Sequence, residues 1–526
     1  MTDHRNGGAA VVETLAVHGV DTIFGIPGTH NLEIYRHLRD AGIRAVTPRH
    51  EQGAGYAAEA YARVSGRPGV VVATSGPGLT NAMTAAATAY AESQPMLVLS
   101  SGMPTGAEGR DLGQLHEAKN ISGAMNELVR WSRRVRSADE AAEAVTEAFG
   151  SFTGRRPRPV HIEIPIDVLE SPWSGRARQC VKLVAPQADP ETVRRAAAAL
   201  AAAAAPLIIA GGGAVDAQRE LTALAELLGA PVATTVNGKG AVSEAHPLSV
   251  GASVRLRTVQ NAAAESDALL LIGTELGDSD LWEGQIRGKV VIRCDIEPGQ
   301  LDKNCPADIA LLGDAATTLA ALAASLPDRP ATDGSARAAV LRAECVSEAT
   351  VDAGPHVEIN AAVRAALPAE AILTGDSSQV TYFGSVHFFD VPGPRQFCYM
   401  PGYATLGYGL PAGLGASIAR PDVPVAVLLG DGALMFSVQE LITLVEQRLP
   451  VPVVVVDNGG YREIREQQAS RGIAPIGVDL RTPDLAAMAI AMGANGIRTT
   501  STDEVTDLVR AALGADGPTL IHLDLR

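Results

Sequence analysis

Cysteine is scarce in this chain and badly placed for a metal or disulfide role. The five cysteines of the 526 residues are scattered, with no CxxC pair, which argues against a zinc site or a disulfide framework and fits a reducing cytoplasm. A basic excess is missing too. Lys and Arg number 43 against 59 Asp and Glu, a formal charge of −16, and neither nucleic acid nor an anionic membrane attracts such a surface. No uncharged apolar run reaches the roughly 20 residues that span a bilayer. The opening MTDHRNGGAAVVETLAVHGV lacks the basic stretch and apolar core of an export signal. The expected location is the cytoplasm, with no nucleic acid or membrane as partner.

What the chain has is length and alternation. With 526 residues and 46% hydrophobic content, it is long enough for about three domains and can fill several cores. Strand-like apolar runs alternate with helix-like periodicity, the pattern of α/β layers. Two polar, proline-bearing stretches interrupt it, SPWSGRARQCVKLVAPQADPET near 171–192 and SLPDRPATDGSARA near 325–338, and read as linkers. The expectation is three doubly wound domains with mainly parallel sheets, at 1–172, 190–326 and 352–526. RRAAAALAAAAAP is a strong helix former that opens the second domain. PLIIAGGGAV after it reads as strand and glycine-rich turn, for which packing is a simpler explanation than a dinucleotide site, since the full fingerprint is absent.

Spacing raises the first functional question. In GDGALMFSVQELITLVEQRLPVPVVVVDNGGYREI, Asp431 sits between two glycines and Asn458 follows 27 positions later, again opening into glycines. VPVAVLLG before the acid suits a strand buried on both faces, FSVQELITLVEQ has apolar residues at helical spacing, and PVPVVVVDN is strand again. Parallel strands joined by a right-handed crossover end on one edge of their sheet, so the spacing predicts that Asp431 and Asn458 are neighbours. Open α/β sheets bind ligands at that edge. A carboxylate and an amide oxygen there suit a hard divalent cation, Mg²⁺ above all, with positions left for phosphate oxygens.

GDG followed by an Asn-bearing turn resembles the signature of thiamine-diphosphate (ThDP) enzymes. The resemblance implies that Asp431, Asn458 and the carbonyl of Gly460 hold Mg²⁺ against the diphosphate. The usual pair before the turn is Asn-Asn, whereas this chain has Asp457-Asn458, which adds a charge and spares the ligand position. DTIFGIPGTHNLEIYRHL and TPRHEQGAGYAAEAYARVSGRPGVVVATSGPGLTNAMTAAATAYAESQPMLVLS are similar to the pyrimidine-binding domain of acetolactate synthases, 2-oxo acid decarboxylases and benzaldehyde lyase. With RPRPVHIEIPIDVL, GKGAVSEAHPLSVG and GYATLGYGLPAGLGA the likeness covers nearly the whole chain. It implies a pyrimidine-binding, a central and a diphosphate-binding domain. Glu51 would hydrogen-bond the N1′ of the aminopyrimidine and share its proton. Leu406 would sit under the bent cofactor, the carbonyl of Ala404 would accept from its amine, and Ser378 and Gln379 would face the diphosphate. Pro27, Gly28, Gly432, Ala433 and Tyr461 complete the implied cofactor contacts. The resemblance further implies a homodimer or homotetramer whose active sites are shared between chains, and leaves FAD binding by the central domain undecided.

The implied reaction is decarboxylation of a 2-oxo acid through a C2 carbanion and an enamine, the cofactor carrying the hard chemistry. His30, in GIPGTH, resembles the histidine of benzaldehyde lyase. His116 lies where pyruvate decarboxylases carry a His pair, but Glu117 replaces the second, and Thr74 stands where benzoylformate decarboxylase has a histidine. GIPGxHxLEIYRxL, RHEQGAG, LHE and GTELGxxD resemble 5-guanidino-2-oxopentanoate decarboxylases. Gln114 and the acidic turn with Asp280 and Glu283 are then the candidate substrate contacts, since carboxylates fit a guanidinium in bidentate fashion. An acetolactate-synthase-like carboligase is the rival, although GGYREIREQQ lacks the Trp expected there. A catalytically silent ThDP-binding regulatory protein is a third reading, opposed by the presence of Glu51, Asp431 and Asn458.

Overall fold

The computed structural model describes residues 5–327 and 333–526. Its strands form three six-stranded sheets, parallel throughout. The first holds β1 (Thr22–Gly25), β2 (Arg44–Val46), β3 (Gly69–Ala73), β4 (Met96–Gly102), β5 (Ser132–Arg134) and β6 (Val160–Pro165). The second holds β7 (Leu207–Ala210), β8 (Val232–Thr234), β9 (Ser249–Gly251), β10 (Leu269–Ile272), β11 (Val291–Asp295) and β12 (Ile309–Leu312). The third holds β13 (Ile372–Gly375), β14 (Phe397–Cys398), β15 (Val425–Gly430), β16 (Pro452–Asp457), β17 (Asn495–Thr499) and β18 (Thr519–Asp524).

The first and third sheets share one topology. Their orders, β2-β1-β3-β4-β6-β5 and β14-β13-β15-β16-β18-β17, are the same pattern offset along the chain. In each the chain reverses direction across the sheet after its first two strands, and such a switch point opens a crevice beyond the strand carboxyl ends. The central strands are continuous apolar runs because helices cover both faces. Val453 to Val456 on β16 are all at most 2% exposed, each contributing about 1.5–3 kcal/mol of burial. Among the described residues no helix is long and apolar enough to cross a membrane.

Two compact units emerge from the contacts. One comprises Met1–Val184 with Leu410–Pro421 and Ser437–Leu449, so it recruits two helical segments from the C-terminal part of the chain. Glu440, on the crossover helix Glu440–Glu446, accepts from the backbone N–H of Arg49 at 3.0 Å and of His50 at 3.1 Å. The other unit comprises Ala185–Gly409, Asp422–Phe436 and Pro450–Arg526, and carries the second and third sheets.

Residues 173–189 have no regular structure until Asp189 caps helix Pro190–Ala202 by accepting from Thr192 N. The stretch 325–338 is less of a linker than its composition implies. Helix Ser335–Ala353 already begins within it, on the helix-forming run SARAAVLRA, and residues 328–332 of the stretch lie outside the described residues. The glycines of PLIIAGGGAV are explained by packing. A Cβ on Gly211 would lie 2.5 Å from Gly273 O, and one on Gly213 2.8 Å from Gly273 Cα.

Candidate active site

The third sheet brings the two ends of the 27-residue spacing together. β15 pairs directly with β16, Gly430 opposite Val456. Asp431 then opens a four-residue helix, Asp431–Leu434, while β16 runs into the turn Asn458–Gly460. Asp431 Oδ2 accepts from Gly460 N at 3.0 Å and from Thr482 Oγ1 at 2.9 Å. The turn needs glycine: Gly459 and Gly460 have φ of +90° and +98°, and a Cβ on Gly460 would meet Val478 O at 2.9 Å. Burial, with Asp457 nearby, raises the Asp431 pKa against the pull of Thr482 and the backbone donors.

Asp457, which stands where an Asn is usual, is wholly buried and answered by the protein itself. Its Oδ2 accepts from His522 Nε2 at 2.9 Å and faces Arg526 Nε at 3.3 Å, and its Oδ1 accepts from Gly459 N at 3.1 Å. Buried polar groups need such partners.

Ser378 and Gln379 follow β13 at the same edge. Ser378 Oγ accepts from Gly430 N at 3.2 Å, and Gln379 Oε1 accepts from Asn458 Nδ2 at 3.1 Å. Gly432 and Tyr461 are closely apposed, since a Cβ on Gly432 would lie 3.1 Å from the Tyr461 ring, and Ala433 is buried. Ala404 has φ +50° and Leu406 is half-buried, so this leucine is not a core side chain. Asp376 holds their turn: it accepts from Gly409 N at 2.7 Å and Gly407 N at 3.2 Å, and burial lifts its pKa to about 6. Asp376→Ala strands both amides. At about 1–3 kcal/mol for each unsatisfied buried group, thermal unfolding should move down by several degrees, and an unchanged melting curve would remove Asp376 as the clamp.

The acidic turn lies in the same unit. Asp280 sits on helix Asp278–Leu281, and Glu283 is exposed just beyond it. Trp282 between them packs edge-on against Phe383 and Tyr382, with ring centroids 5.5 and 6.2 Å away. Phe383 and Tyr382 belong to the π-helical turn Val380–Ser385 that follows Gln379, and a turn of that kind often marks a functional site. Glu275 is committed to Lys303 at 2.9 Å.

The other unit holds the second constellation. Glu51 opens helix Glu51–Ser65, is 8% exposed, and accepts from Asn81 Nδ2 at 3.0 Å. A Cβ on Gly78 would lie 3.4 Å from Glu51 Oε1 and 2.7 Å from Thr74, so this glycine keeps the space beside the carboxylate open. Asn31 shapes the GIPGTH turn that carries Pro27, Gly28 and His30, accepting from Gly28 N at 2.8 Å and donating to Ile26 O at 3.1 Å.

His30 and His116 meet through Ser75. Ser75 Oγ is 2.6 Å from His30 Nδ1 and 3.3 Å from His116 Nδ1, and the two rings are 5.2 Å apart. Burial, then the neighbouring His116, lowers the His30 pKa. Gly76 permits this approach, because a Cβ there would lie 2.5 Å from His116 O. Glu117 closes its own loop by accepting from Leu112 N at 3.2 Å and Gln114 N at 3.0 Å, and Gln114 is exposed on that loop. Tyr35 Oη, beside Glu51, and Thr74 Oγ1 are buried with no hydrogen-bond partner among the described residues, the condition of a site whose polar atoms await a polar ligand.

Residues 5–123 match the N-terminal TPP binding domain of thiamine pyrophosphate enzymes, 193–322 their central domain and 376–523 their C-terminal TPP binding domain. The chain belongs to the thiamine pyrophosphate enzyme family. A probable 2-ketoarginine decarboxylase of Pseudomonas aeruginosa is 42% identical, the match covering 98% of this chain and 93% of the relative. A probable acetolactate synthase large subunit of Methanocaldococcus jannaschii is 33% identical over 98% of this chain and 91% of the relative. The Escherichia coli acetolactate synthase isozyme 2 large subunit is 32% identical over 99% and 95%.

As a thiamine pyrophosphate enzyme the chain uses ThDP, with Mg²⁺ the usual partner metal. The residues present fit both groups. Asp431, Asn458 and Gly460 offer only hard oxygen donors for the cation, and the orphaned polar atoms flank Glu51 where a pyrimidine ring has donors and acceptors to offer.

Sequence reasoning missed Asn31, Ser75, Asn81, Asp376, Thr482 and His522. Asp376 had a local signal, lying two residues before Ser378 in GDSSQ. The others come from loops whose meeting has no signature along the chain.

Proposed function

We propose that this enzyme decarboxylates a 2-oxo acid whose far end carries a guanidinium, and that Asp280 and Glu283 receive that end. The observation that carries this is the docking of Trp282 on Tyr382 and Phe383, which puts the acidic turn beside the segment leading from Gln379. The 42% relative named a 2-ketoarginine decarboxylase points the same way. ThDP supplies an electron sink for the pair left when carbon dioxide departs. The chain's own residues do the rest. Glu51 exchanges a proton at the ring nitrogen N1′. His30 and His116, joined through Ser75, stand to deliver the proton that replaces carbon dioxide in an aldehyde product. Burial and the neighbouring His116 lower the His30 pKa, so its ring releases a proton more readily than a free imidazole does.

Carboligation of the acetolactate synthase type is the second reading, supported by the 33% and 32% relatives. One assay separates the two: carbon dioxide release and product mass across pyruvate, 2-oxobutyrate, benzoylformate and 5-guanidino-2-oxopentanoate. An aldehyde formed from the guanidino acid supports the first reading, and an acyloin from pyruvate the second.

Asp280→Asn tests the charge recognition. Charge-assisted hydrogen bonds contribute about 1.5–3 kcal/mol when shielded from water, and 1.4 kcal/mol is about one decade. The preference for the guanidino substrate in kcat/KM should fall roughly ten-fold or more, with activity on a short neutral 2-oxo acid nearly constant. Equal loss on both substrates would return the turn to a structural role.

The active sites belong to a cytoplasmic homodimer or dimer of dimers, Glu51 of one chain completing the diphosphate half of its partner. Apolar side chains left open around each half support this. Tyr403, Met435, Phe436, Ile464 and Ile476 are 46–74% exposed near the diphosphate edge, and Leu112 and Leu115 are 51% and 66% exposed on the His116 loop. Patches of this kind mark interaction surfaces.

A further inference from the structure

We propose that Glu463, Glu466 and Gln379 form a polarity relay that fixes the orientation of the Asn458 amide, turning its oxygen toward the cation. The proposal rests on Asn458 being a cation ligand. Its first step is the carboxylate pair. Gln379 Nε2 lies 3.0 Å from Glu463 Oε2 and 2.9 Å from Glu466 Oε2. Ionised carboxylates only accept hydrogen bonds, so the Gln379 NH₂ must face them. A flipped Gln379 would direct its carbonyl oxygen at two anions.

The second step follows from the first. With its NH₂ taken, Gln379 presents Oε1 to Asn458, 3.1 Å from Nδ2. An acceptor there requires a donor, so Asn458 must turn its NH₂ toward Gln379 and its Oδ1 away from it. Side-chain amides are nearly symmetric in shape, and either orientation fits the same space. Only one serves the metal, because Mg²⁺ takes oxygen ligands and an NH₂ offers none. Three hydrogen bonds between 2.9 and 3.1 Å therefore decide a property of the ligand that packing alone leaves open.

The carboxylates are themselves anchored. Glu463 also accepts from Tyr382 Oη at 3.2 Å and from Gln467 Nε2 at 3.0 Å, and Glu466 accepts from Arg462 Nε at 3.0 Å. Both sit on helix Arg462–Ser470, directly after the metal turn. Any shift of that helix changes what Gln379 can offer Asn458.

The test uses Mn²⁺ as a spectroscopic substitute, its affinity measured by electron paramagnetic resonance with ThDP present. Glu463→Gln with Glu466→Gln lets Gln379 point either way, and Mn²⁺ affinity should fall by about ten- to a hundred-fold, the usual range for a residue behind a metal ligand. In an Asn458→Asp background the same pair of substitutions should act in the opposite direction. There the parent relay sets Gln379 Oε1 against a carboxylate oxygen, and a freed Gln379 can flip and donate to it, so Mn²⁺ binding should tighten. A role limited to helix stability predicts the same loss in both backgrounds, and that result would overturn the relay. So would unchanged affinity in the Asn458 background. Full Mn²⁺ affinity in Asn458→Ala would remove the ligand assignment itself, and the relay with it, while leaving the decarboxylase reading to its own assay.

Discussion

Glu51→Gln will still bind ThDP, but exchange of the cofactor's C2 proton with deuterium will slow by at least about 10²- to 10⁴-fold, the range for a general acid-base group. The structure supplies the reason that binding survives. Glu51 Oε2 accepts from Asn81 Nδ2 at 3.0 Å, and the introduced amide can meet that donor with its oxygen while its NH₂ faces the ring. What it cannot do is hold a proton and release it at N1′. Burial sharpens the difference: with Glu51 8% exposed at the mouth of its helix, little water is at hand to substitute as the acid. Exchange followed by nuclear magnetic resonance in the holoenzyme reads the step directly, and parent-like exchange in this variant would remove Glu51 from the chemistry.

Asp431→Ala will abolish Mg²⁺-dependent binding of ThDP. Leaving a buried charge without its partner costs about 3–5 kcal/mol, so the dissociation constant should weaken by roughly 10² or more. Calorimetric titration of ThDP with and without Mg²⁺ is the measurement, and a cofactor affinity equal to that of the parent would refute the site. Thermal unfolding adds an independent readout. Ligands that bind only the folded state raise its melting temperature, so the parent should gain stability with Mg²⁺ and ThDP together and the variant should not. The unliganded variant also strands the Gly460 N–H and the Thr482 hydroxyl that Asp431 accepts from, so the readout is the gain on adding Mg²⁺ and ThDP and not the unliganded melting temperature.

Several features are legible in the sequence because they depend on local pattern. VPVAVLLG and PVPVVVVDN are strands on adjacent tracks, and the spacing between Asp431 and Asn458 is what one crossover requires. The crossover helix is shorter than its periodicity implies: FSVQELITLVEQ has helical spacing throughout, yet the helix is Glu440–Glu446. The turns before it allow Glu440 to meet Arg49 and His50, contacts that no periodicity encodes.

His30 and His116 are each candidates by resemblance, 86 positions apart in the chain. Ser75, which joins them, gives no signal along the chain, because a serine in a glycine-rich turn has no pattern of its own. The acids were harder still. Asp457 adds a charge beside the implied metal turn, and its partners His522, 65 residues later, and Arg526 have no signal in sequence order. Gln379 is expected at the diphosphate by resemblance, and its bonds to Asn458, Glu463 and Glu466 have no signal along the chain.

The sequence by itself therefore determined the α/β class and the family, and nominated Glu51, Asp431 and Asn458 as candidate site residues, since strand runs, turn glycines and motif spacing are properties of neighbours along one chain. Only the tertiary structure decided how those residues are held: which donor faces Glu51, what balances Asp457, and what turns the Asn458 amide. Such partners come from separate loops gathered at one sheet edge, and hydrogen-bond polarity acts through distances in space that have no counterpart in sequence order.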